Sequence, residues 1–309
     1  MIKKIMHYIK CPKEIIIYLM NKGAFKNMDD EKYIKLKYKL IMGEKLNLDN
    51  PKKLSEKLQW LKLYDRKDIY TQMVDKYESK KFLRTVIDEK YIIPTYGVYN
   101  SFDEIDFDKL PKEFIMKCTH DSGGAFMCND KEKFDKDIAK KTINKFLKRK
   151  YFYIHREWPY KNVKPRIIIE KYLKNKDNTD LIEYNWFCFN GEPKFLMACY
   201  GDRATARYND YYDIDFKKLD FSCVYNTCEQ PMQKPEIFDE MLELCKKISK
   251  NVPSLRVDFY EVDGKIYIGE LTFFHWAGYT EFEPREWDLK LGKLLVLPKV
   301  RSGKKNEKK

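Results

Sequence analysis

Two pairs of alternating apolar runs, each closed by a turn that few residues can make, constrain this chain more than any other feature. Asn185 to Phe189 and Pro193 to Cys199 flank Asn190-Gly191, and Leu255 to Tyr260 and Lys265 to Leu271 flank Val262-Asp263-Gly264. Asn-Gly and Asp-Gly supply the left-handed backbone that tight hairpin turns need, so both pairs are predicted as antiparallel hairpins. A further strand, glycine turn and strand are read from Phe114 to Lys117, Cys118 to Gly124 and Ala125 to Cys128, and another strand over Arg166 to Glu170. Helical periodicity covers residues 1 to about 45, ending near Gly43. It returns at Leu54, Leu58, Trp60 and Leu61, at Asp75 to Leu83, at Lys131 to Lys148 and at Lys234 to Lys250. Tyr91 to Tyr99 alternates as a strand does. This order, without internal repeats, fits an α+β enzyme with antiparallel sheets and a cleft.

The chain has 309 residues, enough for a substantial core and two or three lobes. With 43% hydrophobic and 15% aromatic residues it is too apolar for a disordered protein. The longest apolar run, Ile15 to Met20, falls far short of the roughly 20 residues that span a bilayer. No transmembrane helix or cleaved signal is expected. Eight cysteines without a CxxC pair and four scattered histidines argue against a zinc site or a disulfide scaffold, and point to a reducing, cytoplasmic setting. The net charge of +13 favours acidic ligands, or reflects a lysine-rich composition. Basic residues are spread along the chain with no nucleic-acid-binding motif, so no nucleic-acid partner is expected. Ile2, Ile5, Met6 and Ile9, interleaved with lysines, could lie on a membrane surface or pack on the body.

Three constellations carry chemistry. Lys117 ends a buried strand and precedes Ser122-Gly123-Gly124, a turn whose backbone N–H groups could fold over phosphates, or an ordinary hairpin with a solvent-facing lysine. Ile167 to Ile169 lead into Glu170-Lys171-Tyr172-Leu173, an edge able to offer backbone donors and acceptors to a purine, or a plain core strand. Asp258 and Glu270 lie on two neighbouring strands among Leu255, Val257, Phe259, Ile266 and Ile268. Period-two alternation can bring both acids to one face as oxygen ligands for Mg2+; a salt bridge is the other reading. Arg256, Arg203 and Arg156 are candidates for gripping a carboxylate or a phosphoryl group in bidentate fashion, or are ion-paired surface residues. Arg203 lies in the loop-like Gly201 to Arg207.

These residues in this order resemble the ATP-grasp superfamily. Leu46-Asn47, Asn50-Pro51, Glu56-Lys57-Leu58-Gln59-Trp60, Lys117-Cys118-Thr119-His120, Arg156-Glu157-Trp158-Pro159-Tyr160 and Glu270-Leu271-Thr272-Phe273 resemble the TupA-like ATP-grasp proteins over residues 45 to 298. That family is associated with bacterial surface polysaccharides and teichuronopeptide synthesis. The resemblance implies two α+β subdomains gripping ATP within residues 51–298, the cleft falling between about 91–170 and 171–298. A helical region over 1–50 precedes them and a basic tail over 299–309 follows. It also implies that Lys76 and Lys117 contact the ATP phosphates under the Ser122-Gly123-Gly124 loop, that Glu170, Lys171, Tyr172 and Leu173 hold adenine, and that Glu183 meets the ribose. Asp258 and Glu270 would bind Mg2+; Thr272 stands where the superfamily often has Asn, and His275-Trp276 where Pro-Gly often follows.

The reaction implied is ATP- and Mg-dependent joining of a carboxylate to an amine through an acyl phosphate, on a uronic acid or amino acid of a capsular or cell-wall precursor, at or near the inner face of the membrane. The alternative is a glycosyltransferase using a sugar nucleotide. The nearest matches to its usual Asp-x-Asp are Asp213-Ile214-Asp215 and Asp106-Phe107-Asp108, in polar, loop-like contexts.

Overall fold

The computed structural model describes residues 12–201 and 207–299. The N-terminal region holds α1 (Pro12–Asn21) and α2 (Asp30–Met42). Asp29 caps α2 by accepting from the Lys32 N–H, and Gly43 ends it in the left-handed conformation, donating its N–H to Lys39 O. The stretch read as membrane-facing, with Ile2, Ile5, Met6 and Ile9, lies outside the described residues. Among the described residues no helix is long and apolar enough to cross a membrane.

One face of α2 is fastened to the body. Tyr33 donates its hydroxyl to Ile154 O (2.8 Å) and Lys37 its ammonium to Ile154 O and Asn21 Oδ1. Arg156 caps the short α7 (Phe152–His155) in the left-handed conformation, with φ 56°. Its guanidinium, 1% exposed, donates to the carbonyls of Phe25, Lys26 and Met28 at 2.9–3.1 Å, and lies 3.3 Å from Asp30 and over the Tyr33 ring. Arg156, expected as a substrate-gripping residue, is instead placed at the chain reversal between α1 and α2, whose carbonyls its Nη2 serves.

Helix α3 (Leu54–Tyr64) begins where Glu56 accepts the N–H groups of Lys52 and Lys53. It abuts the C-terminal α9 (Glu286–Leu294), whose Asp288 accepts from both Ser55 N and Ser55 Oγ. At Gly292 a Cβ would come within 2.1 Å of Lys52 O, so only glycine permits this approach. Of the helix expected over Asp75 to Leu83, the stretch that forms is α5 (Glu78–Leu83), and a separate α4 (Asp68–Val74) precedes it. Asp75 separates the two, because its carboxylate accepts from the N–H groups of Tyr77 and Glu78 and pairs with Arg166 at 2.8 Å.

Two antiparallel sheets form the rest. The first has the order β1-β4-β2-β3, from β1 (Thr95–Tyr99), β4 (Ile167–Lys171), β2 (Phe114–Cys118) and β3 (Ala125–Cys128). Phe114, Met116, Cys118, Ile167 and Ile169 pack with Ala139 and Ile143 of α6 (Lys136–Leu147). Alternation leaves Lys117 and Glu170 on the opposite face. The second has the order β7-β6-β5-β8-β9, from β7 (Tyr208–Asp213), β6 (Glu192–Tyr200), β5 (Glu183–Phe189), β8 (Ser254–Val262) and β9 (Lys265–Thr272). Helix α8 (Phe238–Ser249) covers one face through Phe238, Met241, Leu244, Cys245 and Ile248. The other face carries Glu183, Asn185, Arg256, Asp258, Glu270 and Thr272.

Replacing Arg156 by methionine should leave the carbonyls of residues 25, 26 and 28 unpaired. The unfolding free energy should fall by about 3–5 kcal/mol in urea titrations, while ATP affinity of the folded variant stays at the wild-type value. Weakened ATP binding at unchanged stability would return Arg156 to the ligand site.

Candidate active site

Lys117 emerges from β2 on the uncovered face of the first sheet, and its ammonium lies 3.1 Å from Glu170. Lys80, on α5, approaches the other oxygen of the same carboxylate at 2.5 Å and donates to Ile93 O. Glu170 is 3% exposed. Burial alone would raise its pKa, but the two lysines outweigh that and hold it below the usual carboxylate range. Two lysines on one carboxylate leave a surplus positive charge at the mouth of the glycine turn. Lys80 was not among the residues expected from sequence; its only signal was a spacing of one helical turn from Lys76.

Lys76 sits in the break between α4 and α5. Its N–H donates to Thr119 O, its ammonium donates to Asp121 O (3.0 Å), and the same ammonium lies 3.3 Å from Glu270. Ser122 and Gly123 are exposed, and Gly123 has φ 92°. At Gly124 a Cβ would meet the Phe146 ring at 2.8 Å. The loop thus keeps its backbone open to solvent while packing on α6, a form suited to cradling an anion.

In the second sheet Asp258 stands opposite Glu270, and a register shift beside this pair matches Phe259 with Ile268. Gly269 is therefore the extra residue of a bulge, which turns Ile268 to the other face while Glu270 keeps company with Asp258. Arg256 donates to both oxygens of Asp258 (2.7 and 2.6 Å), to Thr272 Oγ1 (3.3 Å) and to His275 Nδ1 (2.6 Å). Since His275 Nδ1 accepts, its proton is on Nε2; burial and Arg256 keep the ring well below its ordinary pKa and neutral. Burial pushes Asp258 up to about 7 despite Arg256, and Glu270 and Glu183 add to the rise. Lys76 and Arg256 overcome burial at Glu270 and hold it down.

A hard divalent cation fits this donor set. Two adjacent carboxylates, one of them costly to ionise, would both be relieved by it. Among the described residues no cluster of three or more His, Cys, Asp or Glu side chains could hold a metal. The acidic pair would therefore share the ion with phosphate oxygens or other donors. Thr272 is opposite Arg256, one pair away from Asp258, and its hydroxyl is engaged by that arginine.

Glu183 pairs with Arg207 at 3.2 Å, and Arg207 lies over the Tyr225 ring. Arg203 lies outside the described residues. Lys171 is exposed at the end of β4, and half-buried Tyr172 and Leu173 follow it in the segment joining the two sheets. The structure thus links Lys117 to Glu170, Lys76 to Glu270, and Arg256 to Asp258 and Glu270. Arg156 is not among them. Asp213 accepts from the N–H groups of Asp215 and Lys217, and Asp106 caps a short 3-10 turn, so neither Asp-x-Asp belongs to this site.

Lys117 and a glycine loop on one antiparallel sheet, Lys76 and Lys80 from the helices before it, and carboxylates on a second antiparallel sheet fit an α+β ATP-grasp fold. The family model described as TupA-like ATPgrasp matches residues 56–296, and the chain belongs to that family. No curated protein matches the chain. Among solved structures it is similar to D-alanine–D-alanine ligase from Bacillus anthracis complexed with ATP, at 17% identity and TM-score 0.38, over 73% of this chain and 68% of that one. It is also similar to D-alanine–D-alanine ligase from Helicobacter pylori, at 13% identity and TM-score 0.40, over 78% and 69%. A third is phosphoribosylamine–glycine ligase from Thermotoga maritima, at 16% identity and TM-score 0.40, over 66% of this chain and 48% of that one. The chain spans about half the length of the last.

Lys117→Ala should weaken ATP binding about tenfold or more, the worth of one charge-assisted contact. Lys112→Ala, on the exposed loop before β2, should leave it unchanged. Indistinguishable calorimetric titrations of the two variants would refute the phosphate role of Lys117.

Proposed function

We propose that this protein is an ATP- and Mg-dependent ligase that joins a carboxylate to an amine. The observation that carries the reading is the linkage of Lys117 to Glu170, and of the Lys76 ammonium and the Arg256 guanidinium to the Asp258–Glu270 pair. Lys76 and Lys117 would hold the phosphates under the Ser122-Gly123-Gly124 loop, and Glu170 to Leu173, with Glu183, would receive the nucleoside. The metal ion, when bound, neutralises phosphate charge and aligns the terminal phosphoryl group for in-line transfer.

A substrate carboxylate oxygen attacks the γ-phosphorus, the bond to the β–γ bridging oxygen breaks, and ADP leaves, giving an acyl phosphate. An amine then attacks the acyl carbon, phosphate departs, and the amine proton is lost to solvent. Arg256, with its position fixed by Asp258 and His275, offers a cation to the charge developing on the transferred group. The basic cleft suits an acidic acceptor, and an acid borne by a capsular or cell-wall precursor, a uronic acid or an amino acid, is the substrate class proposed. The products would form on the cytoplasmic side, where ATP is available.

The test uses hydroxylamine as the amine, with a panel of uronic acids and acidic amino acids. The correct acid should yield a hydroxamate together with ADP. AMP and pyrophosphate as products would make the enzyme an adenylating ligase, and turnover of a UDP-sugar without ATP would make it a glycosyltransferase. With the same assay, Glu270→Gln should lose at least a hundredfold in turnover, since it removes charge while conserving volume. Its thermal unfolding should stay close to wild type. Full activity at saturating Mg2+ would remove Glu270 from the site.

A further inference from the structure

Asn185 lies in the middle of β5 and is 3% exposed. Its Cα partner across the β5–β8 ladder is Asp258, whose own partner across the β8–β9 ladder is Glu270. The three residues thus form one row across three adjacent strands, on the face of the sheet opposite α8. Neighbouring side chains in such a row have Cβ atoms about 5 Å apart. Two oxygens bound to the same Mg2+ at about 2.1 Å stand about 3 to 4 Å apart, so Asn185 and Glu270, about 10 Å apart at Cβ on either side of Asp258, share an ion only where both side chains lean toward Asp258.

The Asn185 amide nitrogen is directed to β6, donating to Cys199 Sγ at 3.2 Å. Its oxygen is buried and has no hydrogen-bond partner. A buried amide oxygen without a donor costs about 1–3 kcal/mol, and an amide oxygen is a ligand that hard divalent cations accept. Thr272, the residue in the superfamily's usual third-ligand position, instead accepts at its hydroxyl oxygen from Arg256.

We propose that Asn185 Oδ1 is a third protein ligand of the divalent cation held by Asp258 and Glu270. The proposal rests on the nucleotide-dependent metal site of the preceding section. Within it, the third donor comes from β5 rather than from β9, and the sulfur contact of the amide nitrogen turns the oxygen toward the acids. Asn185 binds metal here and takes no part in the chemical step.

The test reads metal binding without turnover. Free Mn2+ is followed by electron paramagnetic resonance while the protein is titrated in the presence of saturating, non-hydrolysable AMP-PNP. Asn185→Leu, which keeps the γ-branched shape and removes the oxygen, should raise the Mn2+ Kd about tenfold. Asn185→Asp, which restores an oxygen and adds charge, should lower it below the wild-type value and should gain more thermal stability on Mn2+ addition than wild type. If Asn185→Leu does not fold, Asn185→Asp alone decides: tighter Mn2+ binding supports the proposal, and an unchanged or weaker Kd overturns it. Equal Kd values in wild type and both folded variants overturn it as well. Failure of the wild type to bind Mn2+ and AMP-PNP together would instead strike at the nucleotide site itself.

Discussion

The contact on which the rest of the cleft depends is made by Lys76. Its backbone N–H holds Thr119, its ammonium holds the carbonyl of Asp121 at the start of the glycine loop, and the same ammonium faces Glu270 of β9. One side chain thus joins the helical region, the first sheet and the second sheet. The arrangement has a physical cause in the acids. Asp258 and Glu270 stand opposite each other, and buried Asp258 is costly to ionise without a counter-charge, while half-buried Glu270 adds a second negative charge beside it. Arg256 serves Asp258 and Lys76 serves Glu270, so the contact between the helical region and the second sheet is coupled to the charge state of the two acids.

The helices before the sheets set the far wall of the site. Residues 275–278 form a tight turn in which Trp276, Ala277 and Gly278 all have positive φ. Non-glycine residues there cost about 1–3 kcal/mol each, and the turn persists because α3 over-determines it. Gln59 donates its amide to the carbonyls of Ala277 and Gly278, and Lys62 donates to Ala277 O. At Gly278 a Cβ would fall 2.6 Å from the Gln59 amide nitrogen. This fixed turn delivers His275 to Arg256. The Glu56-Lys57-Leu58-Gln59-Trp60 motif therefore bears on the reacting centre through a loop nearly 220 residues away.

Hairpins were legible in the sequence because Asn190-Gly191 and Asp263-Gly264 announce their turns, and the ATP-grasp architecture followed from the order of motifs. Strand β7 was not legible. Its sequence Tyr-Asn-Asp-Tyr-Tyr-Asp reads as a polar loop, since nothing local reveals that Asp210 would be buried against Lys218 and the Cys228 N–H. The bulge at Gly269 was equally hidden: strict alternation from Ile266 to Thr272 puts Ile268 and Glu270 on one face, and only pairing with β8 separates them. Arg156 illustrates the opposite failure. An arginine in a conspicuous motif invited a ligand role, but three carbonyls of the α1–α2 reversal, distant in sequence, accept from its Nη2.

The departures from the superfamily pattern near the acids are linked. With His275 in place, Arg256 is held from two sides, by an imidazole nitrogen that can only accept and by both oxygens of Asp258. Its remaining reach falls on the Thr272 hydroxyl. An asparagine at that position would offer the guanidinium a stronger acceptor and would be divided between arginine and metal. A threonine leaves the arginine oriented and gives up little as a ligand, provided another oxygen completes the ion's shell. The unpaired amide oxygen of Asn185, in the same row as the two acids, is the group on this face that meets that condition. On the proposed assignment, replacing the third donor and fixing the arginine would be two aspects of one rearrangement, in which cross-strand neighbours share a task that the superfamily usually gives to a single strand.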